Sequence, residues 1–468
     1  MKPFDLIIGA ALGVGLAACA SVETQDDLAS VADTAPAELV EDSGLDIVVH
    51  EGDFAEIEQF TTPGGVSVWL VSEPSIPILS VAMAWEGGEA ADPEGLEGLA
   101  DAVVYHMNEG AGDLDSLAFQ TRMEDLNMSF GCSASSDWTS CSASMLTDNA
   151  DEAMSLVAQA FEAPRFDAGP FARFQREREV SLNTRETNAR YLAGRAEAQA
   201  IYPDHPYARE TSAESIAALT PELAKAHMRK LMVKDSLIVT AVGAITPEEL
   251  APMLDAIAES LPESNDLPET PEITFTVDGA FEPVLIDLPQ PQSLVRFLAP
   301  GLKREDPDFF TAYVVNYTYG GGGFGSRLME SLRVQKGLTY GVYTWLSFDD
   351  TYQNWGGSGQ TKNESVGEFV EALLAETALI AEEGITAEEL ADAKAYLTGS
   401  YPLAFDSNAK IAGQMMSVRQ DELGVDYFDR RNALIEAVTL EDANRVAAEF
   451  LQPDRFSFIM VGQPEGLD

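Results

Sequence analysis

Residues 323–340 of this 468-residue chain read GFGSRLMESLRVQKGLTY, and they carry the strongest local pattern in the sequence. Ser326 is a residue type that favourably caps the start of a helix. The apolar face of that helix consists of Leu328, Met329 and Leu332. Gly337 is predicted to end the helix, because glycine readily adopts the left-handed conformation found at helix ends. An extended segment is expected to follow from residue 338.

Arg333 and Tyr340 are the two residues of this stretch that could carry chemistry. Arg333 lies in the last turn of the predicted helix and Tyr340 on the extended segment, so both can project toward one site across the Gly337 corner. Arginine carries a permanently charged, planar guanidinium with several N–H donors, and a neutral tyrosine offers one phenolic donor. Donors aimed at a developing oxyanion are often the largest single contribution to catalysis. The structural alternative is a solvated arginine at a helix end and a packed strand tyrosine.

The whole string resembles the signature of the C-terminal half of the insulinase/pitrilysin peptidases, the inverzincins. In that family an arginine and a tyrosine seven positions apart reach the scissile carbonyl of the substrate, which is the spacing of Arg333 and Tyr340. The resemblance covers nearly all of residues 45–468. It implies an α+β fold with two homologous domains, each a mostly antiparallel sheet covered on one face by helices. Together the domains would form half of a clamshell.

An internal repeat supports two homologous domains. Thr220 begins a predicted helix whose following strand ends at Gly243, and Thr439 begins another whose strand ends at Gly462; the separation is 23 positions in both copies. Threonine is a sensible helix cap, and acidic residues in the first turn suit the helix dipole. The predicted domains are residues 45–262 and 280–468, joined by a linker over 263–279.

The remaining pattern of the first domain favours an α+β sheet rather than a doubly wound nucleotide fold. Strands are predicted at 66–71 and 78–85, a helix at 95–107, a hairpin from 127–134 and 138–145, and helices at 149–161 and 170–200. The glycine run at 320–323 lacks the lysine and spacing of a phosphate-binding loop.

The resemblance also shows what the N-terminal half lacks. The family's zinc motif, HxxEH, should directly follow residues 98–100, where this chain reads DAVVY. Asp101 and Tyr105 therefore stand in place of the two histidines, and Val104 stands in place of the general-base glutamate. His106 lies one position beyond the motif and is not a displaced ligand.

The distal glutamate ligand of the family should lie 75 to 80 residues further on. The best-matching position holds Thr184, with Glu179 and Glu186 on either side. A catalytic zinc needs about three protein ligands and an open position for water. No two of the four histidines show ligand spacing: His50, His106, His205 and His227. The resemblance thus implies that this chain binds no catalytic zinc and no other cofactor, and that zinc belongs to a partner.

Three functions are compatible with the family. Some bacterial members divide the work between an HxxEH subunit and an Arg/Tyr subunit that close around a peptide. This chain has the Arg/Tyr pair and lacks the HxxEH motif. It would then be inactive alone and would contribute to a metallopeptidase with an HxxEH-bearing partner. The alternative is a catalytically inactive homologue that acts as a peptide-binding or assembly scaffold, as the core subunits of mitochondrial cytochrome reductase do. A complete peptidase with an unorthodox metal site is contradicted by the missing ligands.

The charge balance excludes nucleic acid as a partner. The chain has 78 acidic and 28 basic residues, a net charge of −50, and nowhere the basic footprint that a nucleic-acid binder needs. The acidic surface is interpreted either as an adaptation for solubility or as an attraction for basic peptides.

The N-terminus resembles that of an exported bacterial lipoprotein. An apolar run at 6–18 has the length of a signal-peptide core, and Leu16-Ala17-Ala18-Cys19 resembles a lipobox whose cysteine becomes lipidated. The alternative is an ordinary small-residue cleavage site. Ala20 favours the outer membrane, facing the periplasm. We therefore predict a signal peptide over 1–18, a lipid anchor on Cys19, and a disordered acidic tether over 19–44.

Two other cysteines complete the inventory. A hairpin that turns at Ser136-Asp137 would place Cys132 directly opposite Cys141, and an exported chain permits a disulfide there. The alternative is two separate buried thiols.

Overall fold

The computed structural model describes residues 45–52, 54–268, 270–271, 273, 280–348 and 352–467. The predicted signal peptide, Cys19 and the acidic tether lie outside the described residues. Within the described ranges, no helix combines the length and apolarity needed to cross a membrane.

The first half of the chain alternates strands and helices around one seven-stranded sheet. Its strands are β1 (Val48–Glu51), β2 (Glu56–Thr61), β3 (Ser67–Ser72), β4 (Ile78–Glu86), β5 (Ser129–Ala134), β6 (Trp138–Leu146) and β7 (Ile238–Gly243). Its helices are α1 (Leu99–His106), α2 (Ser116–Asp125), α3 (Ala150–Glu162), α4 (Ala168–Arg185), α5 (Ala189–Ile201), α6 (Ala213–Ala218), α7 (Pro221–Leu231) and α8 (Pro247–Ala258). The strand order is β1-β2-β3-β7-β4-β6-β5.

The second half repeats this arrangement around a five-stranded sheet. Its strands are β8 (Val284–Asp287), β9 (Gln292–Pro300), β10 (Thr339–Phe348), β11 (Gln353–Lys362) and β12 (Ser457–Gly462). Its α-helices are α9 (Phe309–Asn316), α10 (Val366–Glu383), α11 (Ala387–Gly399), α12 (Asn408–Gln420), α13 (Tyr427–Ala437) and α14 (Leu440–Phe450). The strand order is β10-β11-β9-β12-β8.

The two sheets share one topology. In the first sheet β7 lies between β3, to which it is parallel, and β4, to which it is antiparallel. In the second sheet β12 lies in the same way between parallel β8 and antiparallel β9. An antiparallel hairpin completes each sheet on the β4 or β9 side, β6–β5 in one and β11–β10 in the other. The fold is therefore α+β with mostly antiparallel sheets, as the sequence predicted.

The sequence repeat corresponds to the last helix and strand of each topology. Thr220 caps α7 by accepting a hydrogen bond from the Leu223 amide, and Thr439 caps α14 in the same way from Asp442. The strands that follow are β7 and β12, each of which lies between one parallel and one antiparallel neighbour.

Each half buries one face of its sheet beneath its own helices. In the first half, the buried helix residues include Leu99, Val103, Met154, Val157, Met228, Leu231, Leu254 and Ile257. In the second half they include Ala312, Val315, Phe369, Leu373, Val446 and Ala447. This matches the prediction of helices on one face.

The opposite face of each sheet receives a helix from the other half of the chain. Helix α5 lays Ala189, Leu192 and Ala193 on Leu294, Leu298, Ile459 and Val461 of the second sheet. Helix α12 lays Ala412, Met415 and Val418 on Ile57, Val71 and Val242 around the first sheet. The halves thus exchange one helix each, which the sequence pattern did not predict.

Polar contacts fix both exchanged helices. Arg419 of α12 donates to the backbone carbonyls of Val239 at 2.7 Å and Ser67 at 3.0 Å. Glu197 of α5 is buried and forms an ion pair with Arg296 of β9. Because Glu197 is buried, removal of Arg296 would leave its carboxylate without a compensating charge.

The exchange depends on a break inside the region predicted as one helix at 170–200. Helix α4 ends at Arg185, and the side chain of Asn188 accepts hydrogen bonds from the Arg190 and Tyr191 amides to begin α5. Asparagine is a strong helix cap, so the chain can change direction at this point. The helix predicted at 95–107 is likewise shorter, since α1 begins only at Leu99.

Candidate functional site

Arg333 lies in an irregular helical turn. The helix that begins at residue 327 becomes π-helical over Met329–Gln335, with Lys336 donating to the Ser331 carbonyl at 3.2 Å and Leu338 to the Leu332 carbonyl at 2.9 Å. Its predicted apolar face is fully buried, as Leu328, Met329 and Leu332 each show 0% exposure. Single π-turns occur frequently at functional sites, because the wider turn redirects side chains.

Ser326 does not act as the cap that the sequence predicted. Its hydroxyl donates to the Gly323 carbonyl at 2.8 Å, and no side chain caps the turn that follows. The glycine-rich segment before it forms a short 3₁₀ turn over Gly323–Gly325, which brings that carbonyl within reach of the hydroxyl. Ser326 therefore stabilises the turn that holds Phe324 rather than the helix.

The Arg333 guanidinium lies over an exposed aromatic ring. Its central carbon is 4.3 Å from the centre of the Phe324 ring, and Phe324 is 70% exposed. Such a cation–π contact at the surface contributes about 0.5–1 kcal/mol. It limits the positions of a long flexible side chain.

Tyr340 is presented by an irregularity at the start of β10. The register steps from Thr339 opposite Thr361 to Val342 opposite Gly359, so that two residues of β10 face one residue of β11. The Thr339 hydroxyl lies 2.7 Å from the Gln360 carbonyl and accepts from the Gly341 amide at 3.1 Å. Bulges redirect side chains, and Tyr340 is 83% exposed.

An ion pair holds the helix that carries Arg333 against α11, close to the end of α10. Arg327 donates to both carboxylate oxygens of Glu389, at 2.6 and 2.7 Å, and to the Gly384 carbonyl at 2.9 Å. Burial alone would raise the pKa of Glu389, but hydrogen bonds from Arg327 and from the Thr386 amide lower that pKa to about 2. Glu389 is therefore ionised at any physiological pH.

The positions of the zinc motif hold an ion-pair network instead. Asp101 on α1 accepts two hydrogen bonds from Arg178 on α4, one of them 2.8 Å long. The Tyr105 hydroxyl accepts from Arg173 at 2.9 Å. Val104 is buried within α1. Two guanidinium groups therefore lie beside the positions that correspond to metal ligands.

His106 is a core residue. It has 0% exposure, and its Nδ1 lies 2.7 Å from the Ala102 carbonyl. The ring stacks on Phe166 and Phe171, with centroids 5.3 and 5.0 Å away. Burial lowers the pKa of His106, which keeps the imidazole neutral.

Thr184 does not face the degenerate motif. Its side chain is exposed, and its hydroxyl donates to the Ser181 carbonyl of the same helix at 2.8 Å. The residue that α4 presents to Asp101 is Arg178, which follows Asp101 by 77 positions.

The other histidines have structural contacts. His50 bonds Asp429 at 2.7 Å, His205 bonds the Pro271 carbonyl at 2.8 Å, and His227 lies 3.1 Å from Asp92. Across the part of the chain that the structure describes, no group of three or more His, Cys, Asp or Glu side chains could hold a metal ion.

Cys132 and Cys141 form a disulfide bond between β5 and β6. The two residues are direct partners in the antiparallel register, the position expected from a turn at residues 136–137.

Two family models match the chain. Residues 67–213 match the model described as insulinase, peptidase family M16, and residues 218–397 match the model described as the peptidase M16 inactive domain. The first match lies within the first half of the fold, whereas the second begins before α7 of the first half and ends within α11 of the second.

Curated relatives include proteins from several bacteria. A Helicobacter pylori protein described as a non-peptidase homolog, YmxG, is 28% identical over 331 residues, which is 70% of this chain and 76% of the relative. A Bacillus subtilis protein described as an uncharacterized zinc protease, also YmxG, is 21% identical over 410 residues, covering 85% of this chain and 96% of the relative.

Solved structures share the fold. A peptidase M16 inactive domain from Pseudomonas fluorescens superposes with a TM-score of 0.80 at 25% identity, covering 88% of this chain and 98% of that one. The periplasmic protease PqqL from Escherichia coli superposes with a TM-score of 0.76 at 17% identity, over 96% of this chain and 49% of the larger protein.

Proposed function

Because this chain belongs to the insulinase family, peptidase M16, as an inactive homologue, we propose that it serves as the non-zinc subunit of a two-subunit peptidase. Its partner would be a homologous subunit that carries the HxxEH motif, and its substrate would be a peptide. In this proposal Arg333 and Tyr340 contact the peptide in the partner's active site.

The observation that carries the proposal is the presentation of Arg333 and Tyr340. Each comes from an irregular piece of backbone, a π-turn in one case and a bulge in the other, and the two irregularities flank the left-handed Gly337. A scaffold would not need either residue on the surface. Backbone irregularities cost free energy, and they persist where the redirected side chains have a use.

The chemistry expected of the pair is oxyanion stabilisation. Arg333 can donate from a cationic guanidinium held over Phe324, and Tyr340 can donate from a phenol that is free to approach a carbonyl. Zinc on the partner would supply the Lewis acid and the activated water. Arg333 and Tyr340 would then share the negative charge that develops on the scissile carbonyl oxygen.

The ion pair at Asp101 and the hydrogen bond at Tyr105 support the assignment of zinc to the partner alone. Arg173 and Arg178 place positive charge beside the remnant of the motif. Arg178 pairs with Asp101 and Arg173 pairs with Glu109, so these carboxylates are already engaged by guanidinium groups and are not free to bind a cation.

We further propose that the chain is exported and anchored through a lipid on Cys19 at the outer membrane, on its periplasmic side. The sequence at 16–19 supports this location. The fold is also that of PqqL, which is a periplasmic protease. Cys19→Ala should release the protein from the membrane fraction, whereas a wild-type protein that is soluble after cell lysis would contradict lipid anchoring.

The test of function is a mixing experiment with an HxxEH-bearing M16 subunit. The mixture should cleave a fluorogenic peptide that neither chain cleaves alone. Tyr340→Phe, which deletes one hydroxyl and keeps the ring, should lower kcat by on the order of 10²–10³ while the complex still assembles in sedimentation. Arg333→Ala should have a similar effect.

Tyr396→Phe is the matched control, since Tyr396 is also exposed, at 57%, but lies on α11. It should leave turnover unchanged. A loss confined to KM in the Tyr340 variant would mean that the pair only holds substrate. Full activity of both Tyr340→Phe and Arg333→Ala would favour an inactive peptide-binding or assembly scaffold instead.

A further inference from the structure

The two backbone irregularities that present Arg333 and Tyr340 are joined by one buried side chain. Met329 is the first residue of the π-turn, four residues before Arg333. Val342 is the first residue of regular pairing after the bulge, two residues beyond Tyr340. The Val342 amide donates to the Met329 sulfur over 3.4 Å. Both residues have 0% exposure and belong to the apolar core of the second half, so this contact is shielded from water.

The Val342 amide needs an acceptor in this position. A backbone amide that is buried without a partner costs free energy comparable to a lost hydrogen bond. Within the described residues β10 is the terminal strand of its sheet, so no further strand can accept from its outer side. A thioether sulfur is a weak acceptor, but it lies at the end of an unbranched, adaptable side chain that can reach the strand. Met329 therefore supplies the acceptor that the sheet does not.

Other contacts hold one irregularity at a time. Arg327 holds the start of the helix against α11, and the Thr339 hydroxyl donates to the Gln360 carbonyl of β11 at 2.7 Å. Among the side-chain hydrogen bonds of the described residues, the one from Val342 to Met329 links the π-turn to β10. The position of one irregularity relative to the other therefore depends on this sulfur.

We propose that Met329 is a positioning residue that sets the distance between Arg333 and Tyr340 for the reaction. The inference rests on the proposed function, in which both side chains reach one scissile carbonyl. Two donors share an oxyanion only when both lie within hydrogen-bond distance of it, so a shift of either irregularity weakens the pair. Met329 is buried and acts only through the two residues that it places.

Met329→Leu is the variant that tests the sulfur. Leucine is apolar and similar in volume to methionine, and such exchanges are usually tolerated in protein cores. The exchange removes the acceptor of the Val342 amide and leaves the packing largely intact. Met460→Leu is the matched control. Met460 is 2% exposed in the same apolar core, on β12, and among the described residues no donor bonds its sulfur.

The first readout is the activity of the mixture with an HxxEH-bearing M16 subunit. Met329→Leu should lower kcat about ten-fold and change KM less than about two-fold, because misplaced donors weaken the transition state more than peptide binding. Met460→Leu should change neither value. In a Tyr340→Phe chain, Met329→Leu should lower kcat by less than about a further two-fold, since the distance that it sets has no effect when one donor is missing.

The second readout is hydrogen exchange in this chain alone, without a partner. Met329→Leu should speed exchange at the Val342 amide at least about ten-fold, whereas exchange in residues 457–462 of β12 should not change. Mass spectrometry of short peptides that cover residues 340–343 and 457–462 measures both. Met460→Leu should leave exchange at Val342 unchanged.

Four outcomes would overturn the proposal while the wild-type mixture is active. These are a wild-type kcat with Met329→Leu, an equal loss with Met460→Leu, a full further loss in the Tyr340→Phe chain, and unchanged exchange at Val342. The third would show that Met329 supports the fold in general rather than the pair. A wild-type mixture without peptidase activity would instead contradict the proposed function itself, so the two failures are distinguishable.

Discussion

Cationic side chains of the protein now lie beside the residues that replace the zinc motif. Arg178 bonds both oxygens of Asp101, and Arg173 bonds the Tyr105 hydroxyl. The sequence places Asp101, Val104 and Tyr105 where the family's zinc motif is expected, and the loss of the ligands stays a prediction. It did not predict the replacement, because a count of residues gave Thr184, whereas the face that α4 turns toward α1 selects Arg178.

The replacement predicts that restoring the motif alone will not restore zinc. Asp101→His, Val104→Glu and Tyr105→His together should leave a site that still faces the Arg178 guanidinium, and zinc content should stay far below one per chain. Adding Arg178→Glu removes the cation and supplies a carboxylate, so zinc affinity should rise at least about ten-fold. Elemental analysis after dialysis against low zinc measures both variants, and stoichiometric zinc in the triple variant would contradict the role of Arg178.

A second residue-scale prediction concerns acid stability. The pKa of Glu389 is lowered to about 2 in the folded chain, against an ordinary value near 4.5. A lowered carboxyl pKa contributes stability that is complete above the unfolded value and is lost as pH falls toward the folded value. Arg327→Met should therefore destabilise the chain at pH 6, by about 1–2 kcal/mol after allowance for solvent screening, and much less at pH 2.5.

Urea unfolding at several pH values measures this difference. Arg122→Met is the control, because Arg122 and its partner Glu152 are an exposed pair, with side-chain exposures of 42% and 66%. A pH-independent loss in the Arg327 variant would indicate a packing effect instead.

At the scale of elements, the sequence predicted what depends on local pattern. The hairpin of β5 and β6, the helix caps Thr220 and Thr439, and their strands all follow from turn residues, capping residues and apolar runs. The sequence did not predict which sheets α5 and α12 pack against. An apolar face shows that a helix packs against something, but periodicity contains no information about which sheet receives it.

Helix α12 provides the element-scale prediction. Burial lowers the pKa of Arg419 to about 10, so the guanidinium is still charged at neutral pH, and it donates to carbonyls of β3 and β7. Arg419→Met should keep the apolar contacts but leave these carbonyls without their donor, at a cost of about 2–3 kcal/mol.

Chemical denaturation measures the effect, with Arg430→Met as the control. Arg430 lies on α13 with 46% side-chain exposure and should cost less than about 0.5 kcal/mol. A comparable loss in both variants would mean that the Arg419 hydrogen bonds are not specific anchors of α12.

At the scale of the whole molecule, the two proposed domains are one interlocked body. The described residues between 45 and 467 belong to a single compact unit, and each sheet has one face covered by a helix of the other half. The boundary proposed at residues 263–279 falls between two halves that share these contacts, so we expect that the halves do not fold independently.

This interlocking predicts the behaviour of separated halves. Expressed alone, residues 45–262 would expose the surface that α12 covers, and residues 280–467 would expose the surface that α5 covers. Each fragment should bind a dye for apolar surfaces and aggregate, whereas co-expression should give a soluble one-to-one complex with a cooperative thermal transition. Independent folding of either fragment, with sharp melting on its own, would contradict this view.

The exchanged helices also determine where motion can occur. A peptide can enter a clamshell only if the shell opens, and opening requires a hinge between parts that move as rigid bodies. Within this chain, any rotation about the segment between the halves would pull α5 and α12 off the sheets they cover, exposing buried apolar surface and the Glu197–Arg296 pair. In the proposed two-subunit peptidase, the hinge is therefore expected at the contact between this chain and its partner, and the described residues between 45 and 467 should move as one rigid body.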